Sequence, residues 1–164
     1  ETPLHLYGDG NFLQEAQALV QQLGLQQKVL FKGKAAPELL RTITPKALLG
    51  FTLFEHKGLS NYYSLGNRFF DYVHAGIPQI CVDYPVYREL NTQFEVAVLV
   101  TDLSEKNLAQ VINETLANED LLQRLRANCM QARKLWCWQN EEKALLAFYQ
   151  HHLSLVIESR EPSL

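Results

Sequence analysis

Short apolar runs alternate along this chain with longer segments whose apolar residues recur every three or four positions. The short runs predict β-strands, because glycine, proline or polar turn residues bound them. The longer segments predict amphipathic helices that each bury one face. The predicted strands cover residues 4–7, 29–31, 47–54, 79–82 and 96–100, and the predicted helices cover 12–23, 37–42, 65–75, 105–116, 119–134 and 140–156, with a helical turn at 87–90.

This alternation of strands and helices predicts an α/β fold, a doubly wound parallel sheet with helices on both faces. Sheets of this kind bind ligands beyond the carboxyl ends of their strands. Four loops should therefore gather at one edge of the sheet and form the candidate site, namely 8–11, 33–36, 55–63 and 83–87.

Length, charge and the chain start narrow the class of protein. At 164 residues one domain is expected, over 1–157, followed by a polar, disordered tail at 158–164. The formal net charge of −3 gives no electrostatic case for nucleic acid or an anionic membrane. No apolar run approaches the roughly 20 residues of a membrane-spanning helix. Because the chain begins with neither an initiator methionine nor a signal peptide, we expect a piece of a longer protein.

The three cysteines favour a cytoplasmic location. Their number is odd, Cys81 lies in an apolar strand, and Cys129 and Cys137 lie on a helix, which fits unpaired thiols in a reducing compartment. Cys129 and Cys137 could be read as a metal pair, but no Cys-x-x-Cys motif or spaced histidines accompany them. Structural thiols are the favoured interpretation.

The clearest functional signal follows the third predicted strand. Ser64 is a good N-cap, Gly76 is suited to end a helix and Pro78 cannot continue one. A helix is therefore expected to begin at about Leu65, with its first amides facing the carboxyl edge of the sheet, where α/β folds bind phosphates. Asp71 is a carboxylate two turns into this helix. An anion site followed by an acid suits a nucleotide diphosphate and its ribose.

The turn Gly8-Asp9-Gly10 leaves two interpretations open. A dinucleotide-binding fingerprint would need a third small residue where this chain has Leu13, and an acid at the end of the second strand. A tight turn into a helix is therefore favoured. A supporting position at the edge of a nucleotide pocket stays open.

The loop after the third predicted strand also leaves two interpretations open. Glu55, His56 and Lys57 form either a solvated polar surface or a set of substrate contacts, with His56 or Lys57 near a leaving phosphate. Tyr62 and Tyr63 either contact a sugar or cap the core.

Taken in order and spacing, these pieces resemble the C-terminal, nucleotide-sugar-binding domain of retaining glycosyltransferases with the GT-B fold, the group 1 family. The run Leu-Tyr-Gly-Asp-Gly-Asn at 6–11 is similar to a family strand that ends in Gly-(Asp/Glu)-Gly-Pro. Val-Leu-Phe-Lys-Gly at 29–33, followed by Pro-Glu-Leu-Leu at 37–40, is similar to V-x-F-x-G … P-x-x-E-L. Residues 64–78 resemble the variant S-L-P-x-K-x-F-E-Y-x-A-x-G-x-P. The likeness covers nearly the whole chain.

The resemblance implies a role for the matching positions. In the family, the carboxylate at the position of Asp71 binds the donor ribose, and the loop at 33–36 lies against the base. Backbone amides at Leu65, Gly66 and Asn67 hold the diphosphate or the transferred sugar. No catalytic residue is assigned. The candidate donor-binding residues are Gly8, Gly10, Gly33, Lys34, Tyr63, Ser64, Leu65, Gly66, Asn67, Arg68 and Asp71.

Two positions depart from the family pattern. The motif Glu-x7-Glu needs its first glutamate where this chain has Tyr63, and Asp71 is one methylene shorter than the usual second glutamate. The acid that contacts the sugar is therefore unassigned, with Glu55 as a candidate. In the family this domain opens with a further strand and helix that carry an arginine and a lysine, and we expect these, with an acceptor-binding N-terminal domain, upstream of this chain.

The resemblance implies that the full-length protein is a hexosyltransferase of polysaccharide biosynthesis. It would move a sugar from a UDP- or GDP-sugar to an acceptor hydroxyl with retention, without a cofactor or a metal, since the chain offers no Asp-x-Asp cluster. The acceptor, a glycan or a lipid-linked sugar, and any peripheral membrane contact would belong to the N-terminal half, so the 164-residue chain alone is expected to be inactive. Two other functions stay open: a sugar-nucleotide epimerase of similar fold, and a non-catalytic interaction module.

Overall fold

The computed structural model describes residues 2–158, with the side chains of residues 2–153. These residues form two compact units that divide between Thr44 and Pro45. Every strand pair among them is parallel and strands alternate with helices, which confirms the predicted α/β class. One domain over 1–157 stays a prediction. Of the predicted disordered tail, residues 159–164 lie outside the described part.

The first unit is a two-stranded parallel sheet with two helices. β1 (Leu4–Tyr7) pairs with β2 (Val29–Gly33), and α1 (Leu13–Gln22) connects the two strands. α2 (Pro37–Ile43) follows β2. Gly24 ends the α1 segment with a φ of 66°, a left-handed conformation that glycine adopts at little cost.

The second unit holds a three-stranded parallel sheet. Its strands are β3 (Gly50–Thr52), β4 (Gln79–Val82) and β5 (Ala97–Val100), in the order β3-β4-β5. A 3-10 turn at Thr44–Lys46 precedes the sheet. No helix in the described part of the chain is long and apolar enough to cross a membrane. The helices that follow are α3 (Leu59–Tyr62), α4 (Asn67–Ala75), α5 (Pro85–Gln93), α6 (Glu105–Ala117), α7 (Glu119–Leu135) and α8 (Trp138–Glu158).

Two elements differ from the sequence-based expectation. The pattern predicts a strand over 47–54, but β3 pairs with β4 at only three positions, and Leu53 and Phe54 leave the ladder to pack against the core. The pattern also predicts a single helical turn at 87–90, whereas α5 runs for nine residues. Pro85 stands in the first turn of α5, where its missing N–H is not needed, and the buried Tyr87 anchors the helix.

Apolar packing and a buried polar network fix α4 to the sheet. Phe69 and Val73 are fully buried on its inner face. Gln79 of β4, also fully buried, donates from Nε2 to the Phe69 carbonyl over 3.1 Å, and its Oε1 accepts from the Thr52 hydroxyl over 2.7 Å. Since buried polar groups are costly without partners, this network sets the position of α4 over β3 and β4.

A glycine on β3 allows α4 to come close. A Cβ on Gly50 would lie 2.6 Å from the ring of Tyr72, a distance that side chains do not tolerate. The Tyr72 ring therefore packs directly against the backbone of β3.

The segment after α7 returns to α4. Trp136 packs against Phe69, Phe70 and Phe94 with ring centroids 5.4–6.2 Å apart. The Nε2 atom of His74 lies 2.7 Å from the Trp136 carbonyl, so the imidazole ties the last turn of α4 to this segment. His74 therefore fixes the last turn of α4, whereas Trp136 also packs against Phe69 and Phe70 near the start of the helix.

Candidate functional site

Four of the candidate residues meet at the carboxyl ends of β1 and β2, within the first unit. The Gly8 amide donates to the Gly33 carbonyl over 2.8 Å, and the two glycines have φ values of 129° and 67°. Lys34 forms an ion pair with Asp9 in which the charged atoms are 2.9 Å apart, and both side chains are exposed. The Gly10 carbonyl accepts a backbone hydrogen bond, so these residues form compact, glycine-dependent turns.

The Gly8-Asp9-Gly10 segment leads straight into a helix. The Leu13 amide donates to the Gly10 carbonyl over 3.1 Å, and α1 begins at Leu13. This geometry is that of the tight turn favoured from the sequence.

The start of α4 lies two residues later than the sequence predicts. Gly66, with extended backbone angles, is the N-cap and makes no side-chain cap. The expectation that Ser64 caps the helix is wrong, because its hydroxyl donates over 2.9 Å to the Asn61 carbonyl of α3. Ser64 thus closes the short preceding helix, while Gly76 ends α4 in the left-handed conformation, as predicted.

The hydroxyl of a buried tyrosine accepts a hydrogen bond from the first backbone amide at the start of α4. The Gly66 amide donates to the Tyr87 hydroxyl over 2.8 Å. Burial raises the pKa of the Tyr87 phenol above its ordinary value, so the hydroxyl stays neutral near pH 7. Within the described residues, the next two amides, of Asn67 and Arg68, have no hydrogen-bond partner. Free amides and the partial positive charge of a helix N-terminus together favour an anion.

Two charged side chains stand on this helix without partners. Arg68 and Asp71 are both exposed, and neither forms a hydrogen bond or an ion pair with any described residue. Asp71 comes four residues after Asn67, which corresponds to about 6 Å along the helix axis. Leu65, just before the N-cap, is exposed as well. A cation, two free amides and a free carboxylate therefore follow one another along the first turns of α4.

Aromatic side chains cluster beside the carboxyl ends of β3 and β4. The rings of His56 and Tyr62 lie 4.5 Å apart and inclined by 31°, and Tyr62 also contacts Tyr84 and Tyr63 at 5.2 Å and 5.0 Å. The Tyr84 hydroxyl donates to the Phe54 carbonyl over 2.8 Å, which fixes the cluster to the end of β3. We call His56, Tyr62, Tyr63 and Tyr84 the aromatic shelf.

The charged side chains around the aromatic shelf are already paired. Glu55 forms an ion pair with Lys57, and its hydrogen bond raises the pKa of Lys57. Asp83 accepts from Arg88 over 2.8 Å, and this bond raises the pKa of the Arg88 guanidinium. The carboxylates of Glu55 and Asp83 are thus each engaged by a cation, from the same loop in Lys57 and from α5 in Arg88.

Sequence reasoning included the loop at 83–87 but did not single out Tyr84, Tyr87 or Arg88. No motif marks these residues. Their position offers the only signal, because they follow the carboxyl end of β4, where ligands of parallel sheets bind.

Two of the three cysteines, Cys81 and Cys129, are buried in the core. Burial raises the pKa of Cys81 and of Cys129 to about 12, so both remain protonated thiols near neutral pH. Cys137 is half-buried, and all three are free. Across the described residues, no group of three or more histidine, cysteine, aspartate or glutamate side chains could hold a metal ion.

Comparison with known proteins identifies the family. The sequence profile of the group 1 glycosyl transferases matches residues 1–132. This chain belongs to the group 1 glycosyltransferase family. No curated protein sequence matches it significantly.

Solved structures of glycosyltransferases share the fold of this family member. WaaG, a glycosyltransferase involved in lipopolysaccharide biosynthesis, is 17% identical with a TM-score of 0.68, over 87% of this chain and 37% of WaaG. Sucrose-phosphate synthase from Thermosynechococcus elongatus is 20% identical with a TM-score of 0.73, over 93% of this chain and 39% of the synthase. Anabaena HepE, solved in complex with UDP and glucose, is 18% identical with a TM-score of 0.70, over 90% of this chain and 40% of HepE. This chain therefore spans about two fifths of each of these proteins, and its architecture is the Rossmann-like one of GT-B glycosyltransferases.

Proposed function

We propose that residues 1–157 form the donor-binding domain of a retaining glycosyltransferase that transfers a hexose from a nucleotide-sugar to an acceptor hydroxyl. One observation carries this proposal: the unpartnered amides of Asn67 and Arg68 at the start of α4, within a chain of the group 1 family. They lie after the carboxyl end of β3, where parallel sheets bind ligands.

The charges on α4 suit a nucleoside diphosphate. Arg68 adds a full positive charge to the helix N-terminus, which favours the diphosphate. Asp71 accepts hydrogen bonds only, which suits the two hydroxyls of a ribose. Its distance of about 6 Å from Asn67 along the helix axis matches the separation between a diphosphate and its ribose in order of magnitude.

The first unit carries four further proposed donor contacts. We propose that Gly8, Gly10 and Gly33 let the turns after β1 and β2 come close to the nucleotide, and that Lys34 adds a contact from the loop expected against the base. The positive φ values of Gly8 and Gly33 explain why glycine stands in both turns, because a side chain would be strained there.

The donor is a UDP- or GDP-sugar, and catalysis relies on positioning and electrostatics rather than on a bound metal. Family membership and the HepE structure, solved with UDP and glucose, support a nucleotide-sugar. Holding donor and acceptor in reactive geometry can lower a barrier by roughly 7–11 kcal/mol. Because the acceptor would be held by the part of the protein outside this chain, we expect no transfer by the 164-residue chain alone.

The test is calorimetric titration of UDP and GDP into the full-length protein and its Asp71→Ala variant. Loss of a charged hydrogen bond to the ribose should weaken binding by about 1.5–3 kcal/mol, or roughly 10- to 150-fold. Asp71→Asn should be intermediate. Because Asp71 is exposed and unpartnered within the described chain, neither variant should lower the melting temperature.

Asp120→Ala is the matched control, since Asp120 is an exposed aspartate at the start of another helix, α7. It should leave nucleotide affinity unchanged. Equal affinities for wild type and Asp71→Ala would remove Asp71 from the site, and no binding of either nucleotide by wild type would contradict the proposed function.

A further inference from the structure

The start of α4 is held by a side chain from another helix. Gly66, the N-cap, has no side chain with which to bond an amide of the first turn. Its own amide donates over 2.8 Å to the hydroxyl of Tyr87, which lies 21 residues later on α5. A Cβ on Gly66 would lie 3.4 Å from this hydroxyl, so the phenol oxygen is directly beside the Gly66 backbone. Tyr87 therefore fixes the point at which α4 begins.

Packing on two sides fixes the Tyr87 ring itself. Its centroid is 5.2 Å from that of Phe69 on α4 and 6.1 Å from that of Phe54, two residues after β3. The side chain is fully buried. Because a close-packed ring cannot move without displacing its neighbours, the hydroxyl keeps one position relative to α4.

The bonds around Gly66 leave two amides of the first turn open. The Phe69 amide donates to the Gly66 carbonyl over 3.1 Å, and the Gly66 amide donates to Tyr87. Between them, the amides of Asn67 and Arg68 have no partner among the described residues. A serine or an aspartate at the N-cap would accept from the second or third amide of the helix and compete with an anion there. Glycine as the N-cap avoids this competition, and Tyr87 supplies the missing attachment.

The hydroxyl of Tyr87 accepts its bond without bringing a charge to the helix start. Burial raises the pKa of the phenol, so the oxygen that accepts from Gly66 is neutral near pH 7. A carboxylate in the same place would repel a phosphate at the adjacent amides. Tyr87 thus anchors the helix start and leaves its attraction for an anion intact.

We propose that Tyr87 is a positioning residue of the donor site: through Gly66, its hydroxyl sets the direction in which the next two amides of α4 face the diphosphate. This inference rests on the proposed function. Tyr87 acts only through Gly66, because its side chain is fully buried and does not reach the surface at which the donor would bind. Removing the hydroxyl should therefore weaken the part of the affinity that comes from the phosphates and leave the contacts of the base and the ribose as they are.

The experiment compares UDP with uridine, and GDP with guanosine, on the full-length protein and its Tyr87→Phe variant. Calorimetry measures the nucleotides and NMR titration measures the more weakly bound nucleosides. Phenylalanine keeps the ring and its packing and removes only the acceptor of the Gly66 amide. The variant should bind the nucleotide about 3- to 10-fold more weakly, which is the usual contribution of one hydrogen bond, and bind the nucleoside as wild type does.

Asn91→Ala is the matched control, because Asn91 also lies on α5 and accepts from backbone amides of another segment, those of Val96 and Ala97, over 2.9 Å and 3.0 Å. It should lower the melting temperature, since two amides lose their acceptor, and should change neither affinity. An equal loss of nucleotide affinity in both variants would assign the effect to stability rather than to position, and the inference would be wrong.

The other possible results separate the inference from the proposed function. If wild type binds a nucleotide and Tyr87→Phe binds it equally well or more tightly, the inference is wrong and the proposed function stands. If Tyr87→Phe loses affinity for nucleotide and nucleoside by the same factor, Tyr87 supports the whole pocket and the inference is wrong. If wild type binds neither nucleotide, the proposed function fails and the inference falls with it.

Discussion

At the scale of single residues, the position of α4 depends on a glycine at position 50 of β3. The ring of Tyr72 covers the backbone of Gly50 so closely that any Cβ would overlap it. A close-packed interior has little room to relax, so such an overlap must displace the ring or the helix.

Gly50→Ala should destabilise the protein by about 1–3 kcal/mol in urea denaturation, the usual cost of overpacking. The matched control is Gly10→Ala, because a Cβ on Gly10 meets no atom within 4 Å, and its effect should stay below about 1 kcal/mol. In a Tyr72→Ala background the cost of Gly50→Ala should largely disappear. Equal effects at Gly50 and Gly10 would contradict the packing described.

Residue-level prediction from the sequence succeeded where the backbone conformation was decisive and failed where a partner was distant in the chain. The sequence identifies Gly76 as a helix end because few other residues adopt its left-handed conformation, with a φ of 72°. Ser64 suits an N-cap by its residue type, but its hydroxyl donates a hydrogen bond to the Asn61 carbonyl instead. The bond from Gly66 to Tyr87 spans 21 residues and leaves no local signal.

At the scale of elements, the position of the candidate site depends on how α4 is attached to the sheet. Gln79 provides the polar part of that attachment, since it bonds both to the Phe69 carbonyl of α4 and to Thr52 of β3. A buried amide with two satisfied bonds ties three elements together.

Gln79→Leu should lower the free energy of unfolding by about 1–3 kcal/mol, because it leaves the Thr52 hydroxyl and one carbonyl bond unsatisfied in the core. The control is Gln131→Leu on the exposed surface of α7, which should stay within about 0.5 kcal/mol of wild type. Unchanged stability in Gln79→Leu would show that apolar packing alone holds α4.

Element existence could be predicted from the sequence, whereas several bounds could not. The periodicity of α1, α6 and α7 is strong, and the structure has a helix at each predicted place. β3 is shorter than its apolar run because pairing with β4, not hydrophobicity, sets its length. The sequence predicts only one turn of α5 because its apolar residues are few, and its anchor, Tyr87, is recognisable only once α4 is in place.

At the scale of the whole molecule, family and fold are established and the site is proposed. The chain belongs to the group 1 glycosyltransferases over residues 1–132, and it spans about two fifths of the solved relatives. Motif order along the chain made the family recognisable, because three short patterns occur in sequence at family spacing. The aromatic shelf is only partly recognisable in this way: His56, Tyr62 and Tyr63 are candidates from the sequence, whereas Tyr84 joins them through contacts that no motif marks.

The most direct test of the central claim is amide hydrogen exchange of the full-length protein with and without saturating UDP or GDP. The account predicts slower exchange in peptides covering residues 63–71, where the free amides of Asn67 and Arg68 would bind the diphosphate, and unchanged exchange in peptides from α8. Protection confined to other segments, or none anywhere at saturating nucleotide, would contradict the proposal that α4 binds the donor.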